Sequence, residues 1–377
     1  MEITPEYVNR STWNKVIKYI AMSDEQPPYL LMDREMIKEK VSLIGSNIRN
    51  SRVFYAVKAN PDIEVCRMLA ELGIGFEIAS EGELRILAQL GVASERIITS
   101  NPIKTFRFLE EAVGYGIKYF AFDSRAEVDK LSRYAPDANV YVRLTVPNEG
   151  SEWPLSKKFG VEIEEAATLL TYARDKRLNP VGITFHVGSQ CNNPYNWQHA
   201  VDKARELWDM AEADGIKLRM LDIGGGYPIR YTKNVVDIPT IENRTDKVLR
   251  KKFSQDVEIF IEPGRAVVGD AGVFVGTVIG KAHRGNEDWL YIDVGVFNGL
   301  MESVGGIKYN YIVGSRGEEK TWTVSGPSCD SFDVIDKEAW FAEPEVGNRI
   351  LIPSAGAYTI SYASEFNGFS IPKTILI

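Results

Sequence analysis

The sequence predicts an α/β fold, a (β/α)8 TIM-like barrel followed by a C-terminal antiparallel β domain. Short apolar runs alternate with longer amphipathic segments from about residue 51 to 263, and eight such runs can be counted. After about residue 265 the pattern gives way to stretches rich in Val, Ile, Thr and aromatic residues, separated by glycine and charged turns. Strand then helix, repeated, is the mark of a parallel barrel with its site at the C-terminal strand ends. The later stretches read as antiparallel strands. A chain of 377 residues holds a barrel of about 250 residues with a smaller domain beside it. The expected division is an N-terminal segment 1–25 packing on the β domain, a barrel 26–265 and a β domain 266–377.

The predicted barrel strands are 51–59 (SRVFYAVKA), 76–80, 96–100, 118–122, 140–146, 181–187, 220–224 and 257–263. Helical patterns such as DIEVCRMLAELG and EGELRILAQLG lie between them and end at a glycine that stops a helix. GVFVGTVIGKA, DWLYIDVGVF, KTWTVSG and RILIPSAGAYTI are the predicted strands of the second domain.

Composition excludes several classes. The chain is 44% hydrophobic and 25% charged, as ordinary globular proteins are. Its net charge of -8 speaks against nucleic acid as a partner. No apolar run reaches the length of a membrane span, and MEITPEYVNRSTWNK lacks the basic and apolar regions of a signal peptide, so a cytoplasmic location without membrane contact is expected. Cys66, Cys191 and Cys329 are odd in number and far apart, which fits reduced thiols.

Unusual residues gather where a barrel builds its site. FYAVKAN places Lys58 in line with Phe54 and Ala56 on one side of the first strand. A strand-end lysine ordinarily lays its stem on apolar surface with its amine in water. The alternative is a Schiff-base lysine, whose apolar neighbours would keep the amine ready to lose its proton. Arg143 lies in the fifth strand, His186 ends the sixth, Gly224, Gly225 and Gly226 end the seventh, and Glu262 ends the eighth. Successive glycines after strand seven let backbone N–H groups approach a phosphate, and Ser189 in FHVGSQC could add a hydroxyl. His186 is either a satisfied core histidine or a ring that stacks on a planar cofactor. Glu262, in IEPGRAVV, either pairs with Arg265 or meets a protonated pyridine nitrogen. Pyridoxal phosphate accounts together for Lys58, the glycine run and Glu262, which no metal would do.

FYAVKAN, FHVGSQC, DIGGGYP, EPGR, GPSCDSFDVI and GAYT, in this order over nearly the whole chain, resemble the fold-type III, alanine racemase-like pyridoxal phosphate decarboxylases of basic amino acids. Within that group the likeness is to ornithine decarboxylase and its lysine-accepting relatives. The resemblance implies that Lys58 holds pyridoxal 5'-phosphate, His186 stacks on it, and Ser189 with Gly224, Gly225 and Gly226 cradles its phosphate. It implies that Glu262 keeps the pyridine nitrogen protonated, that Arg265 and Tyr358 also bind phosphate, and that Arg143 supports the cofactor side of the pocket. Glu77 stands where these enzymes usually carry aspartate near the cofactor hydroxyl.

By the same resemblance Cys329 donates the proton to Cα. Asp330, Asp293 and Tyr358 belong to the substrate side, and Cys329 and Asp330 reach the site of the other subunit of a homodimer. A Cys-Asp pair matches relatives that hold a distal ammonium, whereas diaminopimelate decarboxylases carry glutamate after the cysteine. The implied reaction is α-decarboxylation of a cationic diamino acid, ornithine to putrescine or lysine to cadaverine. The other readings are decarboxylation of diaminobutyrate, diaminopimelate or a carrier-linked amino acid, an amino acid racemase, which should lack GPSCDSFD, and an inactive regulatory homologue. Segment 147–160 is expected to be a loop over the site.

Overall fold

The computed structural model describes residues 6–153 and 158–377. Its barrel strands are β1 (Ser51–Ala56), β2 (Gly75–Glu77), β3 (Ile97–Ile98), β4 (Tyr119–Phe122), β5 (Asn139–Leu144), β6 (Asn179–Phe185), β7 (Met220–Asp222) and β8 (Glu258–Ile261). They pair in the order β3-β2-β1-β8-β7-β6-β5-β4. A parallel bridge between Thr99 and Phe120 joins β3 to β4 and closes the ring.

Alternation decides what fills the barrel. Phe54, Ile98, Ala121, Tyr141, Val181, Met220 and Phe260 form one buried cluster inside it. Tyr55 and Val57 pack in the larger core that includes buried residues of the surrounding helices. The helices begin at polar caps that satisfy free N–H groups. Asp62 caps Ile63–Glu71, Ser80 caps Glu81–Gln89 and Ser124 caps Arg125–Tyr134. Val65, Cys66, Met68 and Leu69 supply the buried face of the first of these.

The second domain is one sheet containing Gly272–Arg284, Glu287–Ile292, Ile312–Val313, Glu319–Ser325, Val334–Ala342, Arg349–Pro353, Lys373–Leu376 and Tyr29–Met32. Most of its pairs are antiparallel, but Trp289 pairs with Thr323, and Tyr29 with Lys373, in parallel register. Tyr29–Met32, which the expected boundary at residue 26 assigns to the barrel, is hydrogen-bonded into this sheet beside Gly272 to Val275. Its four buried side chains serve an interior strand as well as a barrel strand, so hydrophobicity alone did not place it. The helix Arg10–Met22 packs Trp13 and Val16 against Val273 and Val275 of the same sheet.

The two domains meet at the barrel mouth. Gly356 donates to the Gly269 carbonyl at 2.9 Å, and a Cβ at position 356 would lie 1.9 Å from the Val268 carbonyl oxygen. Only glycine permits that approach. Two residues on, the Tyr358 N–H reaches the Ala59 carbonyl at 2.7 Å, which sets the Tyr358 side chain beside Lys58.

Candidate active site

The barrel mouth holds a cavity of about 550 Å³ lined by Lys58, Glu77, Arg143, His186, Glu262 and Tyr358, among others. A narrow recess beside it, which shares Ser189 with the cavity, adds Gly226 and Arg265. The chain thus brings together residues from seven separate motifs, from Lys58 to Tyr358.

Strand β1 stops at Ala56, and Lys58 sits in the single 3₁₀ turn Val57–Ala59 rather than inside a strand. The side chain still points to the barrel axis, and about half its surface (49%) faces the open cavity. Its Nζ donates to Glu77 Oε2 at 3.0 Å, and Glu77 is buried. Burial works to lower the Lys58 pKa, but the neighbouring Glu77 carboxylate, through its charge and its hydrogen bond, outweighs it and raises the amine above its ordinary value. The expected amine poised to lose its proton is therefore a paired ammonium here. Apolar walls matter less than the carboxylate at the end of β2.

Glu262, just past β8, accepts a hydrogen bond from Ser100 Oγ. Its backbone N–H donates to the Gly224 carbonyl at 2.9 Å. Burial first, then the Asp222 and Glu77 carboxylates, push its pKa well above the usual carboxylate range. The alternative reading of Glu262, an ion pair with Arg265, does not hold, since Arg265 turns elsewhere. Arg265 instead pairs with Glu302, by Nη1 to Oε2 at 2.6 Å and Nη2 to Oε1 at 2.7 Å. Its remaining N–H groups reach the Tyr231 hydroxyl at 2.5 Å and Ser189 Oγ at 3.1 Å and 3.3 Å. All five guanidinium donors are occupied by protein, so Arg265 can serve a phosphate through its charge and through the Ser189 oxygen it holds. Because that oxygen accepts from Arg265, the Ser189 hydroxyl hydrogen is left to donate outward.

The glycine run is a cradle that side chains would fill. A Cβ on Gly225 would lie 2.3 Å from the Glu262 carbonyl oxygen, and one on Gly226 would lie 2.4 Å from that of Gly188. Gly226 also adopts φ 98°. The Gly224 N–H is taken by Asp222 Oδ1 at 2.9 Å, but among the described residues the N–H groups of Gly225 and Gly226 have no protein acceptor. The free Gly226 N–H, a hydroxyl and a buried guanidinium at one recess, with the free Gly225 N–H next in the chain, fit a phosphate. The Lys58 amine and the Glu262 carboxyl fit the aldehyde and ring nitrogen of pyridoxal phosphate.

His186 Nδ1 accepts from the Gly188 N–H at 3.0 Å, so the neutral ring carries its proton on Nε2. Burial, then the Arg143 and Lys58 charges, hold its pKa well below the ordinary value, and the ring is uncharged. Arg143 lies 5.4 Å from the Phe159 ring centroid. Lys158 and Phe159 line the cavity, so part of the expected loop does lie over the site, and residues 154–157 of that loop fall outside the described residues. Tyr358 adopts φ 56° and covers the Arg265 guanidinium at 4.7 Å.

Three expected site residues stand apart from this cavity. Cys329 is exposed, with Sγ 3.2 Å from Asn367 Oδ1, and Asp330 accepts from the Phe332 N–H at 2.8 Å. Asp293 Oδ1 accepts from the Thr277 N–H at 2.7 Å. None of the three lines the cavity of its own chain.

Residues 34–269 match the family model described as pyridoxal-dependent decarboxylase, pyridoxal binding domain. The chain belongs to the pyridoxal-dependent decarboxylases. It is 37% identical over 353 residues to the lysine/ornithine decarboxylase of Selenomonas ruminantium, covering 93% of this chain and 89% of that one. The decarboxylase superposes on a crystal structure of the protein named SrLDC, in complex with pyridoxal phosphate and cadaverine, with a TM-score of 0.89 at 34% identity, covering 100% and 95% of the two chains. A lysine/ornithine decarboxylase from Vibrio vulnificus complexed with cadaverine matches with a TM-score of 0.89 at 29% identity, covering 98% and 99%.

Sequence reasoning passed over Asp222, Ser100 and Glu302. Asp222 opens the quoted DIGGGYP and Ser100 ends the third predicted strand, so both carried a positional signal. Glu302, in MESVGG, carried none, because its partner Arg265 is 37 residues away.

Proposed function

We propose that this decarboxylase removes the α-carboxylate of a cationic diamino acid, ornithine or lysine, to give putrescine or cadaverine. The observation that carries the reading is the convergence of the Lys58 amine, the Glu262 carboxyl, Ser189 and the free N–H of Gly226 on one recess of the barrel mouth. The names of its relatives and the cadaverine bound in two similar structures support the substrate class.

Bound pyridoxal phosphate supplies the sink for the electrons left at Cα when carbon dioxide departs. The chain positions and protonates. Lys58 Nζ would hold the aldehyde carbon of the bound cofactor, and Glu77 Oε2 accepts the hydrogen bond that orients this nitrogen. The Ser189 hydroxyl and the N–H groups of Gly225 and Gly226 bind the phosphate, while Arg265 fixes Ser189. Neutral His186 and Arg143 bound the ring on the β5 and β6 side. Glu262 keeps the ring nitrogen protonated.

Cys329, which delivers a proton to Cα, and Asp330 come from the second subunit of a homodimer, and Asp330 and Asp293 hold the distal ammonium. Their distance from their own cavity supports sites completed across an interface. No helix among the described residues is long and apolar enough to cross a membrane, and the three cysteines are free, which supports a cytoplasmic enzyme.

Mixing two inactive variants, Lys58→Ala and Cys329→Ala, tests the shared site. Random reassortment makes half of the dimers mixed with one intact site each, so about a quarter of wild-type activity returns. No recovery at any mixing ratio contradicts shared sites.

A further inference from the structure

The Cys329 thiol is exposed on its own chain, yet the backbone around it is held from several sides. Buried Asp333 accepts the Ser328 N–H at 3.0 Å with Oδ2 and the Val296 N–H at 2.7 Å with Oδ1, which ties the Cys329 loop to the segment that carries Phe297. Phe332 packs on the Phe297 ring at 6.2 Å, and Phe366 packs on the same ring at 4.5 Å. The Ser364 N–H adds a hydrogen bond to the Phe297 carbonyl at 2.8 Å. Two stretches far apart in sequence therefore meet on Phe297, with Cys329 on one and Asn367 on the other.

Phe366–Gly368 is a single 3₁₀ turn in which Asn367 adopts φ 56° and ψ 14°. Asparagine bears that left-handed conformation better than most residues. Asn367 Oδ1 lies 3.1 Å from the Cys329 backbone nitrogen and 3.2 Å from its Sγ. The first contact decides the second. A backbone N–H can only donate, so the amide atom that faces it is the oxygen. An amide oxygen can only accept, so the sulfur beside it must bring a proton. This hydrogen bond exists only while Cys329 is a thiol.

We propose that Asn367 is a positioning residue that docks Cys329 as S–H between turnovers, so that the side chain always swings toward Cα with its proton in place. The inference rests on the reading of Cys329 as the proton donor. In the step itself the S–H bond breaks, the electron pair left at Cα by departing carbon dioxide forms a C–H bond with that proton, and sulfur is left as thiolate. A thiolate would meet a lone pair at Asn367 Oδ1, so sulfur returns to the dock only after taking a proton from solvent. When the donor arrives without its proton, the electron pair is protonated instead at the cofactor carbon that came from the aldehyde. Hydrolysis then gives an aminoaldehyde and pyridoxamine phosphate in place of the diamine.

Asn367→Gly removes the acceptor and suits the left-handed turn, whereas Asn367→Asp keeps an oxygen for both Cys329 donors. The infrared S–H stretch of Cys329, isolated by subtracting the spectrum of Cys329→Ala, reads the dock with no substrate or cofactor present. It should move to higher frequency in Asn367→Gly and stay low in Asn367→Asp. A band that Asn367→Gly leaves unmoved overturns the proposal, as does the absence of a Cys329 band in wild type. With pyridoxal phosphate and ornithine or lysine supplied, the share of first turnovers ending in aldehyde should rise about fivefold in Asn367→Gly, the scale of one neutral hydrogen bond, and return to the wild-type level in Asn367→Asp. An unchanged share in Asn367→Gly also overturns it. If Cys329→Ala itself forms no excess aldehyde in a first turnover, the donor reading of Cys329 falls, and the two failures are told apart.

Discussion

Lys58 Nζ and Glu77 Oε2 stand 3.0 Å apart, so the nitrogen that must attack an aldehyde is held as an ammonium by the carboxylate at the end of the neighbouring strand. Glu77→Gln removes that anion and lets burial lower the amine pKa. The pH profile for capture of pyridoxal phosphate, followed by its visible absorbance band, should move to lower pH. Lys58→Ala should show no band and lose activity by about two orders of magnitude or more. An unchanged profile in Glu77→Gln would show that the pair does not control the amine.

Gly225→Ala forces a methyl group toward the Glu262 carbonyl, 2.3 Å from the new Cβ. The loop must shift, and both the phosphate donors and Glu262 shift with it. Fluorescence titration should show pyridoxal phosphate affinity down by at least about tenfold, which corresponds to about 1.4 kcal/mol. Alanine at Gly215, where no atom lies within 4 Å of the new Cβ, should leave that affinity unchanged, although its φ of 75° strains the local turn.

Glu302→Gln leaves the Arg265 guanidinium without its buried counter-ion. Breaking such a pair costs about 3–5 kcal/mol, so apoprotein stability in denaturant should fall by that order. A phosphate dianion returns part of the missing charge, so added pyridoxal phosphate should narrow the gap to wild type. A gap that stays constant or widens would mean that Arg265 does not face the phosphate.

Glu83 lines a second cleft with Lys58 and Tyr358, and its carboxylate accepts the Ala79 N–H at 2.6 Å. Burial, then the Glu77 carboxylate, push its pKa from the ordinary 4.5 up to about 7. A raised acid binds its proton more tightly when folded, so its contribution is present below the unfolded pKa and lost as pH rises through the folded one. Glu83→Gln should therefore gain thermal stability over wild type as pH rises from about 4.5 to 7. A constant difference in Tm across that window would place the Glu83 titration elsewhere.

Much of the fold and of the cofactor side was legible because it depends on local signals. Alternation along FYAVKAN set Phe54, Ala56 and Lys58 on one side, and the structure keeps them there although the strand ends three residues early. The glycine run and Glu262 declared themselves at strand ends. What escaped depends on distant partners. Glu302 reaches Arg265 from another domain, and the Lys58 proton is governed by Glu77, 19 residues away. Tyr29–Met32 reads the same in either sheet, and only its pairing with Gly272 to Val275 assigns it. Asp293, Cys329 and Asp330 do not line the barrel-mouth cavity of their own chain, so their expected roles rest on the resemblance.

The most direct measurement is carbon dioxide release from ornithine, lysine, arginine, diaminobutyrate and meso-diaminopimelate, assayed side by side on protein supplied with pyridoxal phosphate. Ornithine and lysine differ by one methylene, a change that hydrophobic pockets separate by about 1–3 kcal/mol, so both can be turned over within a factor of about 200. The account predicts release from ornithine or lysine above all others, with Asp330→Ala raising KM for that substrate more than it lowers kcat. Preferred turnover of meso-diaminopimelate, or no release from any diamino acid, would contradict it.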